Sequence, residues 1–159
     1  MNRLRIKPIV SQLVIILSII SAVSLSGCMS LSKAGDEEIA DIIAMINEGR
    51  HGELTAMSSN PFLVDGELLH GKSLTGSFWT GLSDAGFSLI GAEVIRNQPL
   101  SGADIRLFGE TAGVNAFFSR YVPDHSVIIE INSNEGRVLL VLSPAENLSR
   151  QITAWGGPY

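Results

Sequence analysis

The sequence contains few of the side chains from which most catalytic and metal sites are built. Cysteine occurs once, at Cys28, so no disulfide can form within the chain. The three histidines, His51, His70 and His125, lack a paired spacing such as H-x-x-x-H, and no G-x-S-x-G motif is present. We therefore expect neither a dedicated metal site nor a cofactor, and nucleophilic catalysis lacks a candidate residue.

The apolar run near the start of the chain is too short for a spanning helix. Leu13 to Val23 is apolar except for two serines, whereas a membrane-spanning helix needs about 20 apolar residues. A secretory signal has a shorter apolar core that follows a basic segment. Arg3, Arg5 and Lys7 form such a segment here. The pattern predicts that residues 1–27 are a cleaved signal peptide.

The residues that follow this core, Leu25-Ser26-Gly27-Cys28, resemble the lipobox of bacterial lipoproteins. The resemblance covers the first 28 residues. It implies cleavage between Gly27 and Cys28, attachment of diacylglycerol to the thiol and acylation of the new amino group. Two or three acyl chains anchor a protein durably, whereas one holds only marginally. The alternative is an uncleaved anchor helix that happens to precede a cysteine.

The resemblance also implies a location. We expect the protein in the bacterial cell envelope, held on the extracytoplasmic side of a membrane by the lipid on Cys28. In the usual pattern, aspartate directly after the cysteine favours retention at the inner membrane. Met29 occupies that position here, which slightly favours the outer membrane.

Basic side chains are scarce in the remaining chain. Loss of residues 1–27 leaves 132 of the 159 residues, with 8 Lys and Arg against 16 Asp and Glu and a net charge of −8. Such a surface repels nucleic acid, so we expect no nucleic-acid partner. The length suits one domain, which we place at residues 36–159 after a short lipidated tether at 28–35.

The first half of this domain is predicted to contain two helices and a hairpin. Apolar residues spaced i, i+3, i+4 and i+7 predict a helix over 36–49. Asp65-Gly66 is a turn pair between two short apolar segments, which predicts a hairpin over 60–69. A second helix is predicted over 73–86, although Gly76 and Gly81 weaken it.

The second half is predicted to consist mainly of strands, which gives an α+β fold with N-terminal helices packed on a curved antiparallel sheet. The strands are expected at 87–96, 113–122, 126–131, 137–142 and 151–155. Residues 143–146, "SPAE", match a capping box and allow a short helix before the last strand. The segment 103–112 is left without an assignment.

This order of elements resembles the nuclear transport factor 2-like superfamily, in which a bent sheet forms a helix-lined cone. The likeness rests on the opening helix, on "FLVDGELLHGK" ahead of the helix with Trp79, and on the closing "ITAWGGP". It spans about 36–158. The superfamily includes enzymes, binding modules and assembly domains, so the resemblance implies a cavity-forming fold without naming a function.

Residues Gly66 to Ser73 match the phosphate-binding pattern G-x-x-x-x-G-K-[ST]. Three features argue against a nucleotide site. Glu67 and the neighbouring Asp65 would repel phosphate. Leu68 and Leu69 suit a strand rather than a compact loop. The residues after Ser73 also lack the strand–helix alternation of a parallel sheet. We interpret the stretch as a hairpin that leads into a helix, and expect no bound nucleotide.

Five polar residues have the chemistry for acid–base work in an apolar cavity: Asp65, His70, Asp104, Tyr121 and Glu130. Glu130 interrupts an apolar strand, but alternation can equally place it on a wet face. The phenylalanines and Trp79 are expected in the core rather than around a ligand. We therefore expect a non-enzymatic binding or assembly domain with an envelope protein partner. The alternative is a small-ligand carrier or acid–base enzyme that uses Asp65, His70, Tyr121 and Glu130.

Overall fold

The computed structural model describes residues 33–145 and 150–159, and the predicted signal peptide and Cys28 lie outside this part. Two helices open this part of the chain and three consecutive strands close it. The helices are α1 (Asp36–Asn47), α2 (His51–Met57), α3 (Lys72–Asp84), α4 (Gly102–Ile105), a 3₁₀ turn (Arg106–Phe108) and α5 (Ala112–Tyr121). The strands are β1 (Ser58–Val64), β2 (Glu67–Leu69), β3 (Glu93–Pro99), β4 (Val127–Ser133), β5 (Gly136–Pro144) and β6 (Arg150–Gly156).

These strands form one open sheet in the order β2-β1-β6-β5-β4-β3. All neighbouring pairs are antiparallel except β1 and β6, which run parallel. The predicted α+β class is confirmed, and the sheet is mixed because of this one pair. The predicted hairpin at Asp65-Gly66 is present, and both residues have positive φ, 46° and 86°, as a type I′ turn requires.

The N-terminal helices cover one face of the sheet, as predicted. Ile42 of α1, Leu54 of α2 and Trp79 of α3 are buried there against alternate residues of the strands. Aromatic rings fill the space between them: Trp79 lies 5.4 Å from Trp155 and 5.8 Å from Phe62, centroid to centroid. Aromatic pairs at this spacing add to the stabilisation from burial alone. The expectation that these rings belong to the core is confirmed.

The opposite face of the sheet is also buried. Ile128, Leu139 and Val141 alternate with the residues of the first face, and each is 0% exposed. Successive side chains of a strand point to opposite faces, so this second apolar surface needs its own cover. The 3₁₀ turn and α5 supply it through Phe108, Val114, Phe117 and Phe118.

The predicted strand at 113–122 is wrong, because the segment is the helix α5. Thr111 caps it by accepting a hydrogen bond from the Val114 amide at 3.2 Å. Val114, Phe117, Phe118 and Tyr121 follow the helical spacing i, i+3, i+4, i+7, and the first three are buried. The same residues also fit the alternating pattern of a strand, which is why the segment was predicted as one.

The remaining assignments differ less. The strand expected at 87–96 runs from Glu93 to Pro99, because residues 89–92 form a turn closed by a 3.1 Å bond from the Ala92 amide to the Leu89 carbonyl. Helix α2 was not predicted. The undecided segment 103–112 contains α4 and the 3₁₀ turn. Ser143 and Pro144 end β5, Ala145 belongs to no helix or strand, and Glu146, the last residue of the predicted short helix, lies outside the described residues.

The cap of α5 can be tested by Thr111→Ala. The substitution leaves the Val114 amide without its acceptor, so the free energy of unfolding should fall by about 1 kcal/mol. Urea denaturation followed by tryptophan fluorescence measures this. Thr111→Ser keeps the hydroxyl and should stay near wild type. Equal stability of all three proteins would contradict the assignment of the cap.

Candidate functional site

Two of the carboxylates singled out from the sequence meet on the face covered by α5. Arg96 of β3 lies between them: its Nη1 donates to Asp104 Oδ1 at 2.7 Å, and its Nε lies 3.0 Å from Glu130 Oε2. Arg137 of β5 donates from Nη1 to Glu130 Oε1 at 3.2 Å. The side chains of Asp104 and Glu130 are only 6% and 13% exposed. The four groups form an ion network with equal numbers of positive and negative charges.

Asp104 is held in its ionised form. Burial by itself raises the pKa of this carboxyl, but Ser101 and Arg96 outweigh that effect and hold the pKa below its ordinary value. Ser101 donates to Asp104 Oδ2 from both its amide, at 2.9 Å, and its hydroxyl, at 2.6 Å. Asp104 thus joins α4 to β3 as a fixed anion and has no proton to deliver near neutral pH.

Asp65 has a different structural role at the β1–β2 turn. Its Oδ1 accepts hydrogen bonds from the Gly157 amide at 2.8 Å and from the Tyr159 hydroxyl at 3.2 Å. Burial and then the charge of Asp65 raise the pKa of Tyr159. Arg137 lies over the Tyr159 ring, with Cζ 5.7 Å from its centroid. Asp65 therefore fastens the C-terminal residues and connects through Tyr159 to the ion network.

The other two candidates lie apart from this network. His70 is exposed after β2, and Tyr121 is 47% exposed at the end of α5, with its ring centroid 5.9 Å from that of Phe117. Asp104 and Glu130 thus lie together, and Asp65 is connected to them through Tyr159 and Arg137. His70 and Tyr121 lie elsewhere. These five residues do not form a shared cavity among the described residues.

A concave site does exist between α4, α5 and the loop that precedes β4. This cleft has a volume of about 300 Å³, at the lower end of small-molecule pockets. Its floor contains buried or half-buried apolar side chains, and its rim is polar and exposed. The floor consists of Leu100, Ile105, Phe118 and Val122, and the rim includes Ser101, Asn115, Ser119 and His125.

The cleft was missed from the sequence because it depends on α5. Three of its side chains, Asn115, Phe118 and Ser119, share a surface only when the segment is helical. The signals that could have revealed it are the capping residue Thr111 and the spacing from Val114 to Tyr121.

The wall of the cleft is held by a chain of buried hydroxyls. Thr153 donates to Ser143 at 2.7 Å, Ser143 and Ser126 are 2.9 Å apart, and Ser126 donates to the Pro123 carbonyl at 2.7 Å. This chain ends on a carbonyl rather than on a base, so Ser126 is not activated as a nucleophile. It fixes the loop that carries His125, whose φ of 68° costs roughly 1–2 kcal/mol. The result is a preformed wall.

The start of the described chain lies beside this wall. Arg150 of β6 is 8% exposed and donates from Nη1 to the His125 carbonyl and from Nη2 to the Lys33 carbonyl, each at 3.2 Å. Asn97 holds the next residue, because it accepts from the Ala34 amide at 3.0 Å and donates to the Ala34 carbonyl at 2.9 Å. Lys33 and Ala34 are thus fixed at one end of the sheet, next to the cleft.

Lys72, the lysine of the phosphate-binding pattern, caps a helix. Its ammonium donates to the carbonyls of Thr55 at 2.9 Å and Ala56 at 3.3 Å, and also to the Ser58 carbonyl. A cation at the C-terminus of α2 satisfies carbonyls that have no partner within the helix. Burial lowers the pKa of Lys72. The side chain is directed at carbonyl oxygens rather than at a loop of backbone amides that could hold a phosphate.

Residues 33–145 and 150–159 contain no group of three or more His, Cys, Asp or Glu side chains placed to hold a metal ion. Over the same residues, no helix combines the length and apolarity needed to cross a bilayer. No protein-family model and no curated protein sequence matches the chain.

The pKa of Asp104 predicts a pH-dependent stability. Because the pKa is lower in the folded state, Asp104 stabilises the fold above its unfolded pKa of about 3.9, and this is lost as pH falls through the folded value. Asp104→Asn should lower the free energy of unfolding at pH 7 by about 1–3 kcal/mol. The deficit should shrink below about pH 4. Urea denaturation from pH 7 to pH 3 measures it, with the exposed Glu67→Gln as control. A deficit that stays constant with pH would contradict the assignment.

The role of Lys72 can be tested with one variant and one ligand. Lys72→Met should lower the free energy of unfolding by about 0.5–1.5 kcal/mol, because three carbonyls that water can only partly reach lose a charged donor. The exposed Lys33→Met is the matched control.

Mg-ATP should leave the thermal midpoint of the wild type unchanged, whereas a nucleotide site with ATP at 100 times its dissociation constant would add about 2.7 kcal/mol to the stability. Stabilisation by Mg-ATP that Lys72→Met abolishes would overturn the capping role.

Proposed function

We propose that this protein is a bacterial lipoprotein, anchored through acyl chains on Cys28, whose α+β domain is a non-enzymatic binding or assembly module of the cell envelope. The lipobox pattern that ends at Cys28 supports the anchor. The first residue that the structure describes, Lys33, is five positions after Cys28.

The main support for a non-enzymatic function is that the carboxylates are already bonded to other groups of the protein. Asp104 and Glu130 are paired with Arg96, and Asp65 accepts from Gly157 and Tyr159. A general base needs a carboxylate within reach of a substrate proton, with a pKa near the working pH. These carboxylates instead join strands, α4 and the C-terminal residues. Their arrangement favours a rigid surface over a reactive centre.

The order of helices, hairpin and strands also supports a relation to the nuclear transport factor 2-like superfamily. The three N-terminal helices on one sheet face are in keeping with that resemblance. The second cover, formed by the 3₁₀ turn and α5, departs from a cone whose helices lie on one side. This relation is part of our proposal. Because members of the superfamily have different functions, it does not identify a ligand.

A second candidate function, a small-ligand carrier, is favoured by the cleft of about 300 Å³. Its preformed wall and apolar floor suit a ligand with an apolar body and a polar end. The two functions differ in what accompanies the full chain on purification. A native mass spectrum that contains a small molecule supports the carrier, whereas a stoichiometric protein partner after in-cell cross-linking supports the assembly module.

The anchor is tested by Cys28→Ala in the full chain. The variant should leave the membrane fraction or accumulate with its signal uncleaved, and it should lose incorporation of labelled palmitate. Ser30→Ala changes a nearby residue without touching the thiol and should behave as wild type. Unchanged size, fractionation and labelling of Cys28→Ala would refute the lipoprotein proposal.

A further inference from the structure

The sheet has two ends that can be told apart by their connections. At one end lie the last residue of β3 and the first of β4, Pro99 and Val127, and the junction of β5 with β6 at Pro144 and Arg150. We call this the tether end, because Arg150 binds the Lys33 carbonyl there. The turn between β4 and β5, with exposed Glu135, marks the other end. A strand of seven residues separates the two ends by roughly 20 Å.

The tether end cannot lie far from the lipid. Lys33 is five residues after Cys28, and five residues span at most roughly 18 Å when fully extended. The polar headgroup region of a bilayer takes up roughly 5–8 Å of that distance. With the Lys33 and Ala34 carbonyls held by Arg150 and Asn97, the domain has little freedom to turn this end away from the membrane.

The cleft opens at this same end. The guanidinium of Arg150 bonds the Lys33 carbonyl on one side and the carbonyl of His125, a rim residue of the cleft, on the other. A second, more open depression adjoins the cleft and overlaps it: Ser119, Val122, Pro123 and Asp124 line both. We call this depression the shelf; Arg120, Tyr121, Asp124 and Gln151 line it.

The chemistry of cleft and shelf matches the two parts of one phospholipid. The cleft has the apolar floor that an acyl chain needs. The shelf presents one cation, Arg120, and one anion, Asp124. A guanidinium suits a phosphate and a carboxylate suits an ammonium group, so the pair fits a zwitterionic headgroup. The half-exposed ring of Tyr121 is of the kind that lies at headgroup level.

We propose that the tether end faces the bilayer and that the cleft and shelf bind one phospholipid with a phosphate-ammonium headgroup, its acyl chain on the cleft floor. This proposal rests on the lipid anchor at Cys28. It deepens the carrier function, since it names both the ligand class and the membrane as its source. The chain after residue 27 carries a net charge of −8. Anionic lipid therefore repels the rest of the surface.

The orientation is tested with the lipidated full chain in vesicles. Ser119→Cys and Glu135→Cys place an environment-sensitive fluorophore at the tether end and at the opposite end, and the acylated Cys28 does not react. Lipids with a nitroxide on the headgroup should quench the label at 119 and leave the label at 135 bright. Equal quenching at the two positions would overturn the orientation.

The ligand is tested by native mass spectrometry of the same protein released from vesicles of equal phosphatidylethanolamine, phosphatidylcholine and phosphatidylglycerol. The wild type should retain one zwitterionic lipid, phosphatidylethanolamine or phosphatidylcholine, in preference to phosphatidylglycerol. Arg120→Glu should weaken this retention about tenfold by removing the phosphate partner. Asp124→Asn leaves a net positive shelf and should shift retention towards phosphatidylglycerol. Asn115→Trp, which fills the cleft, should abolish it, whereas Glu135→Trp should not.

The outcomes separate this inference from the anchor. Loss of vesicle flotation by the wild type would refute the anchor itself. With flotation intact, retention of all three lipids in proportion to the vesicle composition, unaltered by Asn115→Trp, would refute the lipid site.

Discussion

Burial of both faces of the sheet is the constraint on which the rest of the structure depends. The central strands β4 and β5 carry fully buried apolar residues in alternation, Ile128 and Leu139 on one face and Ile129 and Leu140 on the other. Each such side chain contributes roughly 1.5–3 kcal/mol when removed from water. The N-terminal helices cover only one face, so the segment between β3 and β4 must cover the other. The cleft lies where the cover made by α4 and α5 meets the loop before β4.

The charged residues follow from the same constraint. Where α5 does not cover the second face, the sheet carries Arg96, Glu130 and Arg137 instead of apolar side chains, and each charge has a partner of opposite sign. Removing one member of a buried pair costs more than the pair contributes. At the tether end, the guanidinium of Arg150 likewise joins two segments, because it donates to the backbone carbonyls of His125 and Lys33. The three carboxylates that resemble part of a catalytic set in the sequence, Asp65, Asp104 and Glu130, are therefore used to hold elements together.

The parts of the fold that were predicted correctly have local signals. The stripe of isoleucines in α1 and the Asp65-Gly66 turn each lie within a few residues. The site could not be predicted in this way, because its contacts join distant residues. Asp65 and Tyr159 are 94 positions apart, and Arg150 and Lys33 are 117 apart. The error at α5 had a further cause: its residues satisfy both an alternating and a helical pattern, and only the buried sheet face decides between them.

Hydrogen–deuterium exchange of the anchored protein tests the central claim, that the end of the sheet with the tether and the cleft faces the bilayer. Amide exchange would be compared between the protein on vesicles and the same protein released by detergent. We expect slower exchange on vesicles for residues 119–126 at the tether end and no change for residues 134–136 at the opposite end. Exchange that is unchanged at 119–126, or slowed only at 134–136, would contradict it.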